Sequence, residues 1–244
     1  MNQTIRNLLL LFPSGGFRVT DVPQSEGDAL IWLFKATNGP NWTDHTNWLQ
    51  THTVGNWFGV TVAGGHVTGI SPNANNLSGN IGGFPIRNLP LLLAFQLFGN
   101  AGLVGNVGSW ALPGSMTHIR LDATGVSGDN SGWVIPASMT HLFYHGSSIF
   151  GTPNIGSSVA LQQWFCLNCA LTQANVDAIL LSIYNRRMAF TFATPELNIG
   201  GTNLAPSGVY GAACPPGTGK EYAFELVNDS CLDGFNKWAV TFTP

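Results

Sequence analysis

The chain has 244 residues and a formal net charge of −3, with 44% hydrophobic but only 9% charged residues, against roughly 25% charged in an ordinary soluble domain. Without a basic patch or run it lacks the footprint of a nucleic-acid binder, and its 15 Phe and 8 Trp argue against disorder. Its 30 Gly exceed the usual share of roughly 7%, which implies many tight turns between short apolar strands.

In chain order, residues 1–22 come first. Leu8, Leu9, Leu10, Leu11 and Phe12 form a short apolar run. It is too short for a membrane span or a signal-peptide core, so no span is expected and no signal peptide is visible. An apolar leader ahead of a capped domain reads as an assembly arm that docks on a neighbouring subunit. The alternative is that it packs back on its own cap.

Residues 23–66 read as an N-terminal cap. A helix is predicted over 24–36, with Ser25 and Asp28 as a weak capping box and Leu30, Leu33 and Phe34 at helical spacing. Gly39-Pro40 stops it. Trp42, Trp48 and the segment Trp57-Phe-Gly-Val60 follow.

Residues 67–206 repeat. The segment from Trp110 to Ile119 returns from Trp133 to Leu142, with Trp, Pro, Ser, Met, Thr and His identical at an offset of 23. In the same register an apolar residue opens a short strand at Ile70, Phe95, Ile119, Leu142, Trp164 and Leu197, at intervals of 25, 24, 23, 22 and 33. A second apolar anchor follows at Leu77, Leu103, Val126, Ile149, Leu171 and Leu204, and a glycine at Gly79, Gly105, Gly128 and Gly151. Periods of 20–29 residues with this pattern are the signature of leucine-rich repeats. One unit cannot bury its own apolar side; stacked units pair their strands in parallel and share a core. The inward pairs are then Ile70 and Pro72, Phe95 and Leu97, Ile119 and Leu121, Leu142 and Tyr144, Trp164 and Cys166, Leu197 and Ile199. Asn75, Asn76, Asn100 and Thr124 sit where a turning backbone needs polar partners. Trp110 and Trp133 are expected to stack on the return side.

The long last interval holds a helix after Leu171, with Thr172 as N-cap and Val176, Ile179, Leu180 and Ile183 along one face. Residues 207–244 read as a C-terminal cap. Its alternating runs 222–227 and 237–242 are predicted as two strands of a hairpin-like unit. The fold expected is therefore an α/β, mostly β, leucine-rich-repeat solenoid of about six turns with short parallel strands, a helical N-cap and a mixed C-terminal cap.

Chemistry is sparse. There is no G-x-S-x-G, phosphate loop, H-E-x-x-H or dinucleotide fingerprint, so no enzyme and no cofactor are expected. Cys166 and Cys169 form a C-x-x-C without the second pair that a zinc site needs; Cys166 has a place in the core. Cys214 and Cys231 are the disulfide candidates. On the outward strand face, one column is Gly69, Ala94, His118, His141, Gln163 and Glu196. The next is Ser71, Gln96, Arg120, Phe143, Phe165 and Asn198, and a third contains Phe98, Asp122 and His145. His118, His141, His145 and Asp122 invite a metal reading, but the histidines recur with the copied Met-Thr-His segment and such ligands splay along a strand face. A polar-aromatic binding face is the preferred reading, with Phe98, Arg120, His141, Phe143, His145 and Phe165 on the concave side.

The motif at 36–42 (Ala-Thr-Asn-Gly-Pro-Asn-Trp), Trp48, Trp57-Phe-Gly-Val60 and Asn75-Asn-Leu-Ser-Gly79 resemble the N-terminal cap and first repeat of plant-type leucine-rich repeats. The resemblance spans about residues 24–206. Cysteines usual near the cap tryptophans are absent, which matches the bacterial and bacteriophage branch. The resemblance, with the low charge and apolar leader, implies a non-enzymatic structural or decoration protein of an extracellular or virion assembly. Its expected partners are proteins, either its own copies in a homo-oligomer or other virion or surface subunits. The alternative is a tail-fibre-like adhesin that binds a host-surface receptor or glycan through the concave face.

Overall fold

The computed structural model describes residues 16–244. The candidate arm, residues 8–12, lies outside them. The described chain begins on the cap. Phe17 stacks on His52 at 4.8 Å, and the Asp21 carboxylate accepts from the backbone N–H groups of Val54 and Gly55, both at 2.8 Å.

The cap helix α1 runs Gln24–Ala36 and buries Leu30, Leu33 and Phe34. Its start differs from expectation: the N-cap is Pro23, with no side-chain cap. Asp28 accepts from Gln24 instead. The buried Glu26 reaches across to the backbone N–H of Val67 (2.7 Å) and to His66 Nδ1 (2.6 Å). Phe34 and Trp48 stack at 5.5 Å, and Trp42 and Trp57 meet Trp48 at 4.9 and 4.8 Å. Each indole N–H donates to a backbone carbonyl, so these rings enter the core without an orphaned donor.

From there the chain winds as a mostly β solenoid. An antiparallel pair, β1 (Val60–Ala63) and β2 (His66–Ile70), opens the main sheet. The strands β4 (Ala94–Gln96), β6 (His118–Arg120), β8 (His141–Phe143), β10 (Gln163–Phe165), β11 (Glu196–Ile199) and β12 (Ala239–Phe242) then add in parallel. Ile70, Phe95, Ile119, Leu142, Trp164 and Leu197 stand in one register. The strands β3 (Ser78–Asn80), β5 (Gly102–Asn106), β7 (Gly125–Asp129) and β9 (Ser148–Phe150) form a second parallel sheet.

Every inward pair expected from the sequence is buried. At roughly 1.5–3 kcal/mol per large apolar side chain, this shared interior is the main stabilising term. Trp110 and Trp133 stack with ring planes 6° apart. The strands β2, β4, β6, β8, β10 and β11 each run into a residue with positive φ, at Ala74, Gly99, Ala123, Gly146, Asn168 and Gly201, which turns the chain toward the return side. Inside these turns Asn100 uses its full hydrogen-bonding capacity. It accepts from the N–H groups of Asn75 (2.8 Å) and Leu77 (3.0 Å) and donates to the carbonyls of Pro72 (3.0 Å) and Leu97 (2.8 Å). Asn203 repeats the pattern with Cys169, Leu171, Cys166 and Ile199.

The number of turns is smaller than expected. About four turns carry strands in both sheets, because the second sheet ends at β9. Past β10 the return is helix α2, Gln173–Arg186, capped by Thr172 Oγ1 accepting from Asn175 N–H, and burying Val176, Ile179, Leu180 and Ile183. Leu204 accordingly has no second-sheet strand to pack in and is 58% exposed.

The C-terminal cap also departs from the prediction. Residues 222–227 lie within an α-helix, α3 (Gly219–Asn228), started by Glu221 accepting from Thr218 N–H. Ala223 and Leu226 are buried in it, and Tyr222 meets Tyr184 of α2 at 5.2 Å. The run at its end does form a strand, β12, but it pairs in parallel with β11, so no hairpin forms. A disulfide joins Cys214 and Cys231, whose Cα atoms are 5.7 Å apart. The buried Glu225 orders the turn beyond α3 by accepting from Ser230 and Cys231 N–H. Among the described residues, no helix is long and apolar enough to cross a membrane.

Candidate functional site

Strand alternation places every second side chain of the main sheet outward, and parallel pairing puts equivalent positions side by side. Ala94, His118, His141, Gln163 and Glu196 are register partners in sequence along the sheet, and Gln96, Arg120, Phe143, Phe165 and Asn198 form the next column.

The structure brings all six expected binding-face residues into one connected surface. The Arg120 guanidinium lies 3.9 Å from the Phe98 ring centre and 5.2 Å from that of Phe143. Phe143 stacks on Phe165 at 4.9 Å. His141 and His145 approach Phe143 edge-on at 5.6 and 6.5 Å. Arg120 is aimed by Asp122, which accepts from its Nε at 3.0 Å and its second amino group at 2.9 Å. His145 Nε2 stands 3.7 Å from the same carboxylate. All six side chains are half-buried, so their edges and faces remain accessible.

His118 and His141 stack with ring centres 4.4 Å apart and planes within 9°. Each has a threonine before it. Thr117 Oγ1 lies 2.8 Å from His118 Nδ1 and 3.0 Å from the carbonyl of Leu93. Thr140 Oγ1 lies 2.8 Å from His141 Nδ1 and 3.0 Å from the carbonyl of Thr117. A carbonyl can only accept, so each threonine spends its one proton there and must accept from the imidazole. Both rings therefore carry the proton on Nδ1 and leave Nε2 as a bare acceptor. Burial lowers the His118 pKa from its ordinary value. Burial, then His118 and Arg120, lower that of His141.

The metal reading finds no converging ligand set here. Among the described residues, the one group of three His, Cys, Asp or Glu with ligand atoms close together is Cys214, Glu225 and Cys231, and its two sulfurs are joined to each other. Stacked, parallel imidazoles aim their lone pairs side by side. The C-x-x-C cysteines are free and buried. Cys166 is buried immediately after β10, and Cys169 takes the turn position held elsewhere by Asn100 and Asn203, with its thiol 3.3 Å from the Tyr144 carbonyl. Burial raises the pKa of Cys166 well above the usual thiol value and pushes Cys169 up to about 11. Thiols held so are poor nucleophiles and poor metal ligands at neutral pH.

Sequence reasoning missed the far end of this face. Gln163 Nε2 donates to Glu196 Oε2 at 2.8 Å. Beside them lies a recess of about 190 Å³ lined by His141, Gln162, Gln163, Phe192, Thr194 and Glu196. Gln163 and Glu196 stood in the predicted column, but the columns do not say which members meet. Phe192, 40% exposed, arrives from the loop after α2 and carried no signal. No protein-family model matches the chain, and no curated protein matches it.

Proposed function

We propose that the protein is a non-enzymatic structural or decoration protein of an extracellular or virion assembly, built on a leucine-rich-repeat solenoid with a plant-type N-terminal cap. It docks on a partner protein through its strand face. The observation that carries this reading is the Phe98–Arg120–Phe143–Phe165 stack. Aromatic and arginine side chains concentrate at the energetic centres of protein interfaces. Here they are held in place by strand pairing and by Asp122, so little side-chain entropy is lost on docking. The cap and repeat motifs and the low charge support the family and setting.

The test is a Phe143→Ala, Phe165→Ala double variant, checked for unchanged folding. Incorporation into the native assembly, or capture of the neighbouring subunit, should fall by at least about a hundredfold, as loss of two interface anchors at roughly 2 kcal/mol each implies. Undiminished incorporation removes the strand face from the reading. A second variant, lacking residues 1–15, tests the arm separately, since residues 17–21 belong to the cap.

The second reading, a glycan-binding adhesin, is favoured by one specific feature. The recess at His141, Gln163 and Glu196 places hydrogen-bonding groups beside the Phe192 ring, a combination suited to a sugar.

A further inference from the structure

We propose that His141, Gln163 and Glu196, with Phe192 as their wall, form a saccharide subsite that reads hydroxyl donors, extended by His118 on the neighbouring strand. The proposal rests on the adhesin reading and gives its site and chemistry.

The argument is one of hydrogen-bond polarity. Thr117 and Thr140 hold both imidazole protons on Nδ1, so the two Nε2 atoms are acceptors. Gln163 commits its amide N–H to Glu196, which turns its own Oε1 into an acceptor. Glu196 Oε1 is a fourth acceptor, and its carboxylate makes no ion pair among the described residues. Successive strands lie about 4.8 Å apart. The result is a row of four acceptors, with the second N–H of Gln163 as the one donor among them.

Such a row selects a ligand rich in donors. A polyol ring meets it with several hydroxyls and can lay its apolar C–H face on Phe192. The recess holds about 190 Å³, below the roughly 300–1,000 Å³ of pockets for larger ligands, so it suits one sugar ring at a time. A cation would also satisfy Glu196, and the cationic control below separates the two ligand classes. A metal would need lone pairs that converge, and the stacked rings keep theirs parallel.

The test uses the full chain in NMR titrations with methyl glucoside, methyl galactoside, methyl mannoside and N-acetylglucosamine, and with propylammonium as the cationic control. At least one sugar should shift the His141 and Phe192 ring signals saturably. Phe192→Ala and Glu196→Gln should each weaken that binding by about tenfold or more, the range for losing a stacking face or a charge-assisted hydrogen bond. Val209→Ala, 80% exposed and away from the recess, should leave it unchanged.

Absence of any saturable shift, shifts that survive both recess variants, or tighter binding of propylammonium than of every sugar would each overturn the subsite. The adhesin reading fails separately, in adsorption of the whole protein to glycan-bearing surfaces. Adsorption that persists while these titrations are silent leaves the adhesin and removes only this subsite.

Discussion

Thr140 decides which nitrogen of His141 carries the proton: its hydroxyl donates to the Thr117 carbonyl at 3.0 Å and therefore accepts from Nδ1 at 2.8 Å. The same relation holds between Thr117 and His118, so a short sequence copy, Met-Thr-His, yields two matched acceptors on the sheet surface. The hydrogen-bonding polarity of the face thus depends on two half-buried threonines.

Nitrogen-15 spectra of the imidazoles at neutral pH should show both rings protonated at Nδ1. Thr140→Val should move His141 to the Nε2–H form and cost about 1 kcal/mol of stability, the usual net worth of such a hydrogen bond. A spectrum with Nε2 protonated in the unaltered protein would contradict the assignment.

Stability should fall with acidity in a way traceable to the same pair. Both histidines have pKa values lowered from 6.5 by burial, with His118 and Arg120 adding to the effect on His141. The unfolded chain then binds more protons than the folded one between the two values. The folded state loses stability as pH falls below 6.5, and the loss is complete below the folded-state values. Urea unfolding at a series of pH values should show a smaller acid loss for a His118→Gln, His141→Gln variant than for the parent. Equal losses would show that the pair does not contribute.

Two glycines separate conformation from space. Gly128 has φ +130°, and an added Cβ would stand 2.3 Å from Asn106 Oδ1. Gly146 has φ +68°, with nothing nearer than 3.9 Å. Gly128→Ala should cost about 3 kcal/mol or more, combining overpacking with strain. Gly146→Ala should cost about 1 kcal/mol, for left-handed backbone alone. Chemical denaturation of both variants checks the order, and a larger cost at Gly146 would contradict it.

The thiols give a further check. Neither Cys166 nor Cys169 should react with a disulfide reagent in the native protein, and both should react on unfolding without reductant, since Cys214 and Cys231 are joined. Reducing that bond, which closes a separation of 17 residues, should destabilise the C-terminal cap by about 3 kcal/mol. Rapid native labelling of Cys169 would overturn its assigned burial.

The repeat was legible because stacking is a local rule applied many times. Ile119 and Leu142 had to share a register, and their neighbours Arg120 and Phe143 had to face outward together, once the offset of 23 residues was seen. Alternation along a strand and parallel pairing leave no freedom there, so the outward placement of the six candidate residues could be read from spacing. Thr172 and the apolar face of α2 were legible for the same reason: capping and helical period are set by residues near in sequence.

What the sequence by itself determined was thus the period, the inward and outward sides of each strand, and the stacking of Trp110 on Trp133. Only the tertiary structure decided where the second sheet stops, that Tyr222 lies on a helix packed against Tyr184, that β12 joins the main sheet in parallel, and that Phe192 closes a recess beside Glu196. Those outcomes depend on surfaces supplied by distant segments. A short alternating run such as residues 222–227 is nearly balanced between strand and helix, and the face of α2 that it covers tips the balance.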